Sequence, residues 1–188
     1  MRVDPVTYDD IEDPELRALF EAFPRNESGE VDLPNHFQVE AHLPEVTKHV
    51  LLALQANREN GDLPRPLVRK LYLAVSMAND CGYCTGVYCT ILSESVGDDA
   101  VREFQRALEA GELAGREGDI VEFAVTLATD PHTLTDAEFE SLREHGLTDR
   151  DFVQIVSLVN IISGYNRVTT AFDCEYEEFY HAAPWEGL

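Results

Sequence analysis

Four consecutive residues, Cys81-Gly82-Tyr83-Cys84, carry the strongest chemical signal in this chain. Two thiols three positions apart fall within one turn of a helix. At about 100° per residue, Cys84 lies about 60° round the helix from Cys81. Tyr88 lies about 20° from Cys81 and one turn beyond Cys84, so the three share a stripe. Cys89 falls about 80° from Cys81, on the flank. Thiols in a first helical turn gain from the unpaired N–H groups and the positive end of the helix dipole, which favour thiolate over thiol. A second thiol three residues away can attack an oxidised first one and close a disulfide that a dithiol then resets. Two other readings stay open on the residues alone. The pair can be two small buried residues at a helix–helix contact. It can also belong to a metal site of Cys81, Cys84 and Cys89 with Cys174 or a histidine, although no second knuckle matches that spacing.

The elements that must position this pair read as helices with clear punctuation. Pro44 to Asn60 carries Val46, Val50, Leu51 and Leu54 at helical spacing, and Gly61 stops it. Pro64 suits the first turn of a helix whose stripe is Leu67, Leu71, Ala74, Val75 and Ala78. Asn79-Asp80 breaks that pattern, and Asp80 is the expected N-cap of a cysteine helix running to about Ser95. Gly97 ends it, Asp98 caps the next, and Gly111 closes that one. A further helix covers about 117–129. Thr135 to Glu138 has capping-box spacing with Gly146 as its stop, and Thr148 caps a last long helix carrying Phe152, Ile155, Val156, Val159 and Ile162. No strand alternation stands out. The expected fold is all-α. Residues 1–35 read as an acidic, loop-like arm with a short helix from Pro14 to Phe23 and a turn at Asn26-Glu27-Ser28-Gly29. Residues 36–188 read as a single multi-helix domain.

The composition narrows the setting. There are 36 acids against 14 bases, for a formal net charge of −22, and 44% of the residues are apolar. Only Lys48 and Lys70 are lysines. Such a surface suits strong salt, because in dilute buffer its self-repulsion opposes folding. No basic stripe is present to neutralise phosphates, which argues against nucleic-acid partners. No segment approaches the roughly 18 apolar residues of a spanning helix, and Met1-Arg2-Val3-Asp4-Pro5 is not a signal-peptide start. The expected location is the cytoplasm, with no membrane partner. Three of the four cysteines fall within nine residues, which points to local chemistry rather than a disulfide scaffold.

Leu63-Pro64, Leu67-Val68-Arg69-Lys70-Leu71, Ala74-Val75-Ser76 and Asn79-Asp80-Cys81-Gly82-Tyr83-Cys84-Thr85-Gly86 together resemble the carboxymuconolactone decarboxylase superfamily, in its alkyl hydroperoxidase D-like branch. Glu144-His145-Gly146-Leu147-Thr148-Asp149, and Asn166-Arg167 after an apolar helix, are similar to it too. The resemblance covers about residues 43–173. It implies an all-α domain of the alkyl hydroperoxidase D-like type, assembled into trimers or larger homo-oligomers. It implies reduction of a small hydroperoxide, with Cys84 attacking the peroxide and Cys81 resolving the sulfenic acid. It also implies recycling by a lipoyl or thioredoxin-like dithiol, and calls for no cofactor or metal.

Two positions depart from the family pattern. A glutamate twelve residues before the first cysteine and a histidine four after the second relay the proton there. Here Arg69 and Tyr88 stand in those places, and neither is a base at neutral pH. A packed Arg69 would instead put positive charge near Cys84 and favour its thiolate directly. Tyr88 would donate a hydrogen bond to the thiolate or to a peroxide oxygen. Arg69 as a surface base and Tyr88 as a packing aromatic are the plainer alternatives. Two rival functions follow: a non-catalytic helical oligomer that kept the fold and a disulfide, or a decarboxylase-like lyase, whose acid–base groups the sequence does not place. The histidines, His36, His42, His49, His132, His145 and His181, lack ligand spacing; His42 and His49 come nearest. Cys89 reads as a core residue. Cys174, among Asp173, Glu175, Glu177 and Glu178, reads as inert. Trp185 reads as a tail anchor on a neighbouring subunit.

Overall fold

The computed structural model describes residues 1–26, 28–177 and 180. Glu27, Glu178, His181 and Trp185 lie outside them. The described chain is helical throughout: α1 (Pro14–Phe20), α2 (Asn35–Glu40), α3 (Pro44–Asn60), α4 (Arg65–Ala78), α5 (Gly82–Val96), α6 (Asp98–Ala110), α7 (Gly115–Thr129), α8 (Asp136–Glu144) and α9 (Asp149–Phe172). Strand-type pairing among these residues is limited to one isolated antiparallel bridge, Arg25 with Val31.

Local chemistry sets the ends. Proline in the first turn opens α1, α3 and α4, where an N–H would lack a partner anyway. Thr135 closes the capping box with Glu138 that its spacing predicts, and Thr148, expected as a cap, closes a second one with Asp151. Gly111 ends α6 in the left-handed region, at φ 66°. Asp80 behaves differently from expectation. It takes φ 53° in the turn between α4 and α5, and Cys81 holds the N-cap of α5.

The core is built on α4. Leu71, Leu73, Ala74 and Val75 are fully enclosed, and α4 packs against α5, α7 and α9. Ile120 and Val121 of α7 and Ile155, Leu158 and Ile162 of α9 complete the interior. The stretch read as an arm joins the same core through Ile11, Leu16, Phe20 and Leu33. It is also pinned by charge. Lys48 on α3 reaches Asp13 at 2.9 Å, Glu15 at 2.9 Å and Glu45 at 3.2 Å. No described helix is long and apolar enough to cross a membrane.

Candidate active site

α4 stops at Ala78, and the chain turns through Asn79 and left-handed Asp80, with the Cys81 N–H returning to the Ser76 carbonyl at 2.9 Å. This turn aims Cys81 back over the start of α5. Its sulfur takes the role an Asp or Ser oxygen usually has at an N-cap and accepts the Cys84 N–H at 3.3 Å. The second thiol sits one turn on, within hydrogen-bond reach of the first.

The electrostatics of the pair are asymmetric. The Cys84 thiol donates to the Cys81 sulfur, and together with the backbone N–H and Thr169 this outweighs burial and holds the Cys81 thiol below its ordinary range. The same hydrogen bond, burial and the neighbouring charge push Cys84 up. The reduced pair therefore places its thiolate at Cys81, at the helix dipole's positive end.

Thr169 on α9 meets both sulfurs. Its Oγ1 lies 3.2 Å from Cys81 Sγ and 3.5 Å from Cys84 Sγ. The same hydroxyl reaches the Tyr165 carbonyl at 2.9 Å and the Asn166 carbonyl at 3.2 Å. One hydroxyl proton cannot serve all of these at once, so Thr169 can accept from a thiol while bonded to its own helix, or turn and donate to a thiolate. Behind it, Asn166 donates to Ser76 Oγ at 3.1 Å and accepts from Asn79 at 2.8 Å, and it hydrogen bonds Cys84. Neither Thr169 nor Asn166 stood out in the sequence as a site residue. The available signal was polar residues three apart, Ser163, Asn166 and Thr169, on one face of α9, whose other buried residues are mostly apolar.

A strap formed by residues 174–177 crosses the other side of α5. Tyr176 lies over Gly86, where an added Cβ would stand 2.6 Å from its phenol oxygen. Tyr83 donates to Glu177 at 2.7 Å, and Asn35 of α2 holds the strap through the Glu175 carbonyl and the Glu177 carboxylate. The Tyr83 phenol has one proton and gives it to Glu177, so His36 Nδ1, at 3.3 Å, must be the donor to its oxygen. Burial keeps His36 neutral, pushed down to about 3. Both sulfurs are enclosed: Cys81 is 2% and Cys84 3% exposed.

The remaining predicted site residues are not drawn to the pair. Arg69 does lie on the helix packed against α5, but its guanidinium bonds the Ile91 carbonyl at 2.7 Å and the Ser95 hydroxyl. Ile91 is two turns past Cys84, about 10 Å along the axis, so Arg69 ties α4 to the far half of α5 instead of charging Cys84. Tyr88 keeps its place on the sulfur stripe and feels Cys84 electrostatically. Its ring packs on Tyr72 with centroids 5.0 Å apart, and it makes no hydrogen bond to either sulfur among the described residues. The four cysteines are unpaired by disulfides. Burial first, then acids for Cys174, raises Cys89 and Cys174 to about 11. His42 and His49 are exposed and bond the Asp4 and Glu45 carbonyls. Among the described residues no cluster of three His, Cys, Asp or Glu could hold a metal.

Beyond the Tyr72–Tyr88 pair a cleft of about 380 Å³ opens between α1, α3, α4, α5 and α9. Leu51, Leu54, Leu63 and Val68 make its apolar wall, and Arg58, Arg65 and Arg69 also line it.

No family model matches the sequence, and no curated protein matches it. Solved structures do. An uncharacterised peroxidase-related protein from Ralstonia eutropha, described as an alkylhydroperoxidase AhpD core, superposes with a TM-score of 0.80 at 22% identity, covering 95% of this chain and 93% of its own. A peroxidase-related protein from Silicibacter gives 0.76 at 22% identity, covering 97% of each chain. The debrominase Bmp8, as a Cys-to-Ala variant in complex with 2,3,4-tribromopyrrole, gives 0.77 at 20% identity, covering 95% of this chain and 92% of its own. These likenesses run nearly end to end, and the fold of this chain is that of the alkylhydroperoxidase AhpD core.

Proposed function

We propose that the protein is a thiol-dependent peroxidase of the alkyl hydroperoxidase D-like branch, in which Cys81 and Cys84 reduce a hydroperoxide and close to a disulfide. The observation that carries this reading is the arrangement of both sulfurs around one Thr169 hydroxyl at the start of α5. The likeness to peroxidase-related proteins supports it.

In the reduced pair Cys81 is the thiolate and Cys84 the thiol. Cys84 attacks the hydroxyl oxygen of the hydroperoxide while its proton passes to the Cys81 sulfur. The O–O bond breaks, the alkoxide leaves and takes a proton from water, and Cys84 becomes a sulfenic acid. The Cys81 thiol then attacks that sulfur; the S–S bond forms, the S–O bond breaks, and water departs with the Cys81 proton. A lipoyl or thioredoxin-like dithiol reduces the disulfide and is itself oxidised. Cys81 thus serves as the base that Arg69 and Tyr88 cannot be. A homo-oligomer, trimeric or larger, belongs to this reading; exposed Leu43 and Val46 beside and on α3, with Val153 and Val156 on α9, give it apolar surface to cover.

The enclosure of both sulfurs favours a second reading, a non-catalytic helical protein that keeps the pair as packing. A hydroperoxide-dependent dithiol oxidation assay in high salt decides between them. The peroxidase reading requires turnover that disappears in Cys84→Ser and stalls after one equivalent in Cys81→Ser. Equal rates in wild type and Cys84→Ser would sink it.

A further inference from the structure

The cleft beyond Tyr72 and Tyr88 has a charge that runs against the rest of the molecule. The chain carries 36 acids and 14 bases. The cleft is lined by three of those bases, Arg58, Arg65 and Arg69, and by no carboxylate. Arg69 is committed to the far half of α5. Arg65 makes no hydrogen bond or ion pair among the described residues, and Arg58 has only a 3.9 Å approach to Glu59. Two guanidinium groups left this free, in a chain so rich in acids, are available for an anion from solution. The wall below them is apolar, and its volume lies within the roughly 300–1,000 Å³ of small-molecule sites. Tyr72 and Tyr88 line it where their rings pack together, and Tyr88 is one turn along α5 from Cys84.

We propose that this cleft binds an amphipathic carboxylate, with its head on Arg58 and Arg65 and its apolar body against Leu51, Leu54, Leu63 and Val68. Resting on the peroxidase reading, the substrate is then the hydroperoxide of such an acid, held with its apolar end towards Tyr88 and the cysteine pair. Charge complementarity selects this occupant over a neutral or cationic amphiphile. The surrounding acidic surface repels anions generally, so the arginine-lined mouth is the place where a carboxylate can settle.

Binding can be tested without any redox chemistry. Calorimetric titration of the full chain with decanoate, at fixed ionic strength, should show saturable binding. Decyltrimethylammonium should bind at least about tenfold more weakly. The double variant Arg58→Ala/Arg65→Ala should lose about tenfold or more in decanoate affinity at unchanged melting temperature, and Arg58→Lys/Arg65→Lys should recover much of it. No decanoate binding, equal binding of the cation, or an unaffected double alanine variant would each overturn the site. Turnover separates the two proposals. Reduction of tert-butyl hydroperoxide without decanoate binding would remove this inference and leave the peroxidase reading standing. Decanoate binding with no hydroperoxide reduced would leave the site standing without that reading. Competitive inhibition by decanoate of a fatty-acid hydroperoxide, but not of tert-butyl hydroperoxide, supports both.

Discussion

Thr169 and Cys81, 88 residues apart in sequence, bring hydroxyl oxygen and sulfur to 3.2 Å. This contact ties the last helix to the first turn of the cysteine helix and gives the thiolate a donor that can turn away when the thiol is protonated.

Thr169→Val should therefore raise the Cys81 thiol, held towards about 6 in the native pair. A hydrogen bond to a charged group is worth about 1.5–3 kcal/mol, or about 1–2 pH units. Ultraviolet thiolate absorbance against pH checks this, with Thr169→Ser restoring the native curve. An unchanged curve in the valine variant would remove Thr169 from the site.

Gly86→Ala should loosen the strap without unfolding the chain. The new methyl meets the far end of the Tyr176 side chain, which can swing away, and alanine gains about 0.5–1 kcal/mol of helix preference. Iodoacetamide should then reach Cys89, the half-buried cysteine beside Tyr176, faster. A loss of about 1.4 kcal/mol in strap closure gives about a tenfold rate. If alkylation is no faster, the strap does not control access.

Two buried groups give opposite slopes to stability against pH. Burial raises Glu40 to about 7 from 4.5. The folded state thus binds more protons than the unfolded one between those values, and stability falls as pH rises through them. Burial lowers His36 from 6.5 to about 3. There the unfolded state binds more protons, and stability rises with pH across that window. Denaturant unfolding of Glu40→Gln should lack the fall, recovering up to about 3 kcal/mol at pH 8. A variant curve parallel to wild type would refute this assignment.

The net charge of −22 predicts stabilisation by salt. Screening at 1 M salt shortens the reach of repulsion to about 3 Å. A gain of even 1 kcal/mol lifts the melting temperature of a chain this size by about 2–4 °C. Melting at low and molar potassium chloride measures it; equal temperatures would contradict the high-salt reading of the surface.

Most helix ends were legible because their signals are local. Pro44 and Gly61 bracket α3, and the threonine caps open α8 and α9. Cys81 displaced Asp80 from the cap because a sulfur, too, can accept an N–H, and the aspartate was needed for a left-handed turn. The six-residue α2 escaped notice because it is too short to show a periodic stripe. The cysteine pair could be read from spacing. Its partners could not: Thr169, Asn166, His36 and Glu177 reach α5 only through the tertiary fold. Arg69 shows the converse limit. Its helix packs on α5, but its side chain runs away from the sulfurs to the Ile91 carbonyl and the Ser95 hydroxyl, a direction that helix periodicity alone does not give.

The Lys48 cluster has a practical corollary. The chain holds two lysines, and both ammonium groups are occupied: Lys48 by three carboxylates with 10% of its side chain exposed, Lys70 by Glu117 with 21% exposed. Carboxylate contacts hold Lys48 protonated well above its ordinary range, where it is no nucleophile. Amine-reactive cross-linkers should thus capture few contacts between folded copies, and oligomer mapping calls for carboxyl-directed reagents. The same scarcity makes amine labelling of Lys48 a reporter of unfolding, since the group becomes reactive when α1 leaves α3.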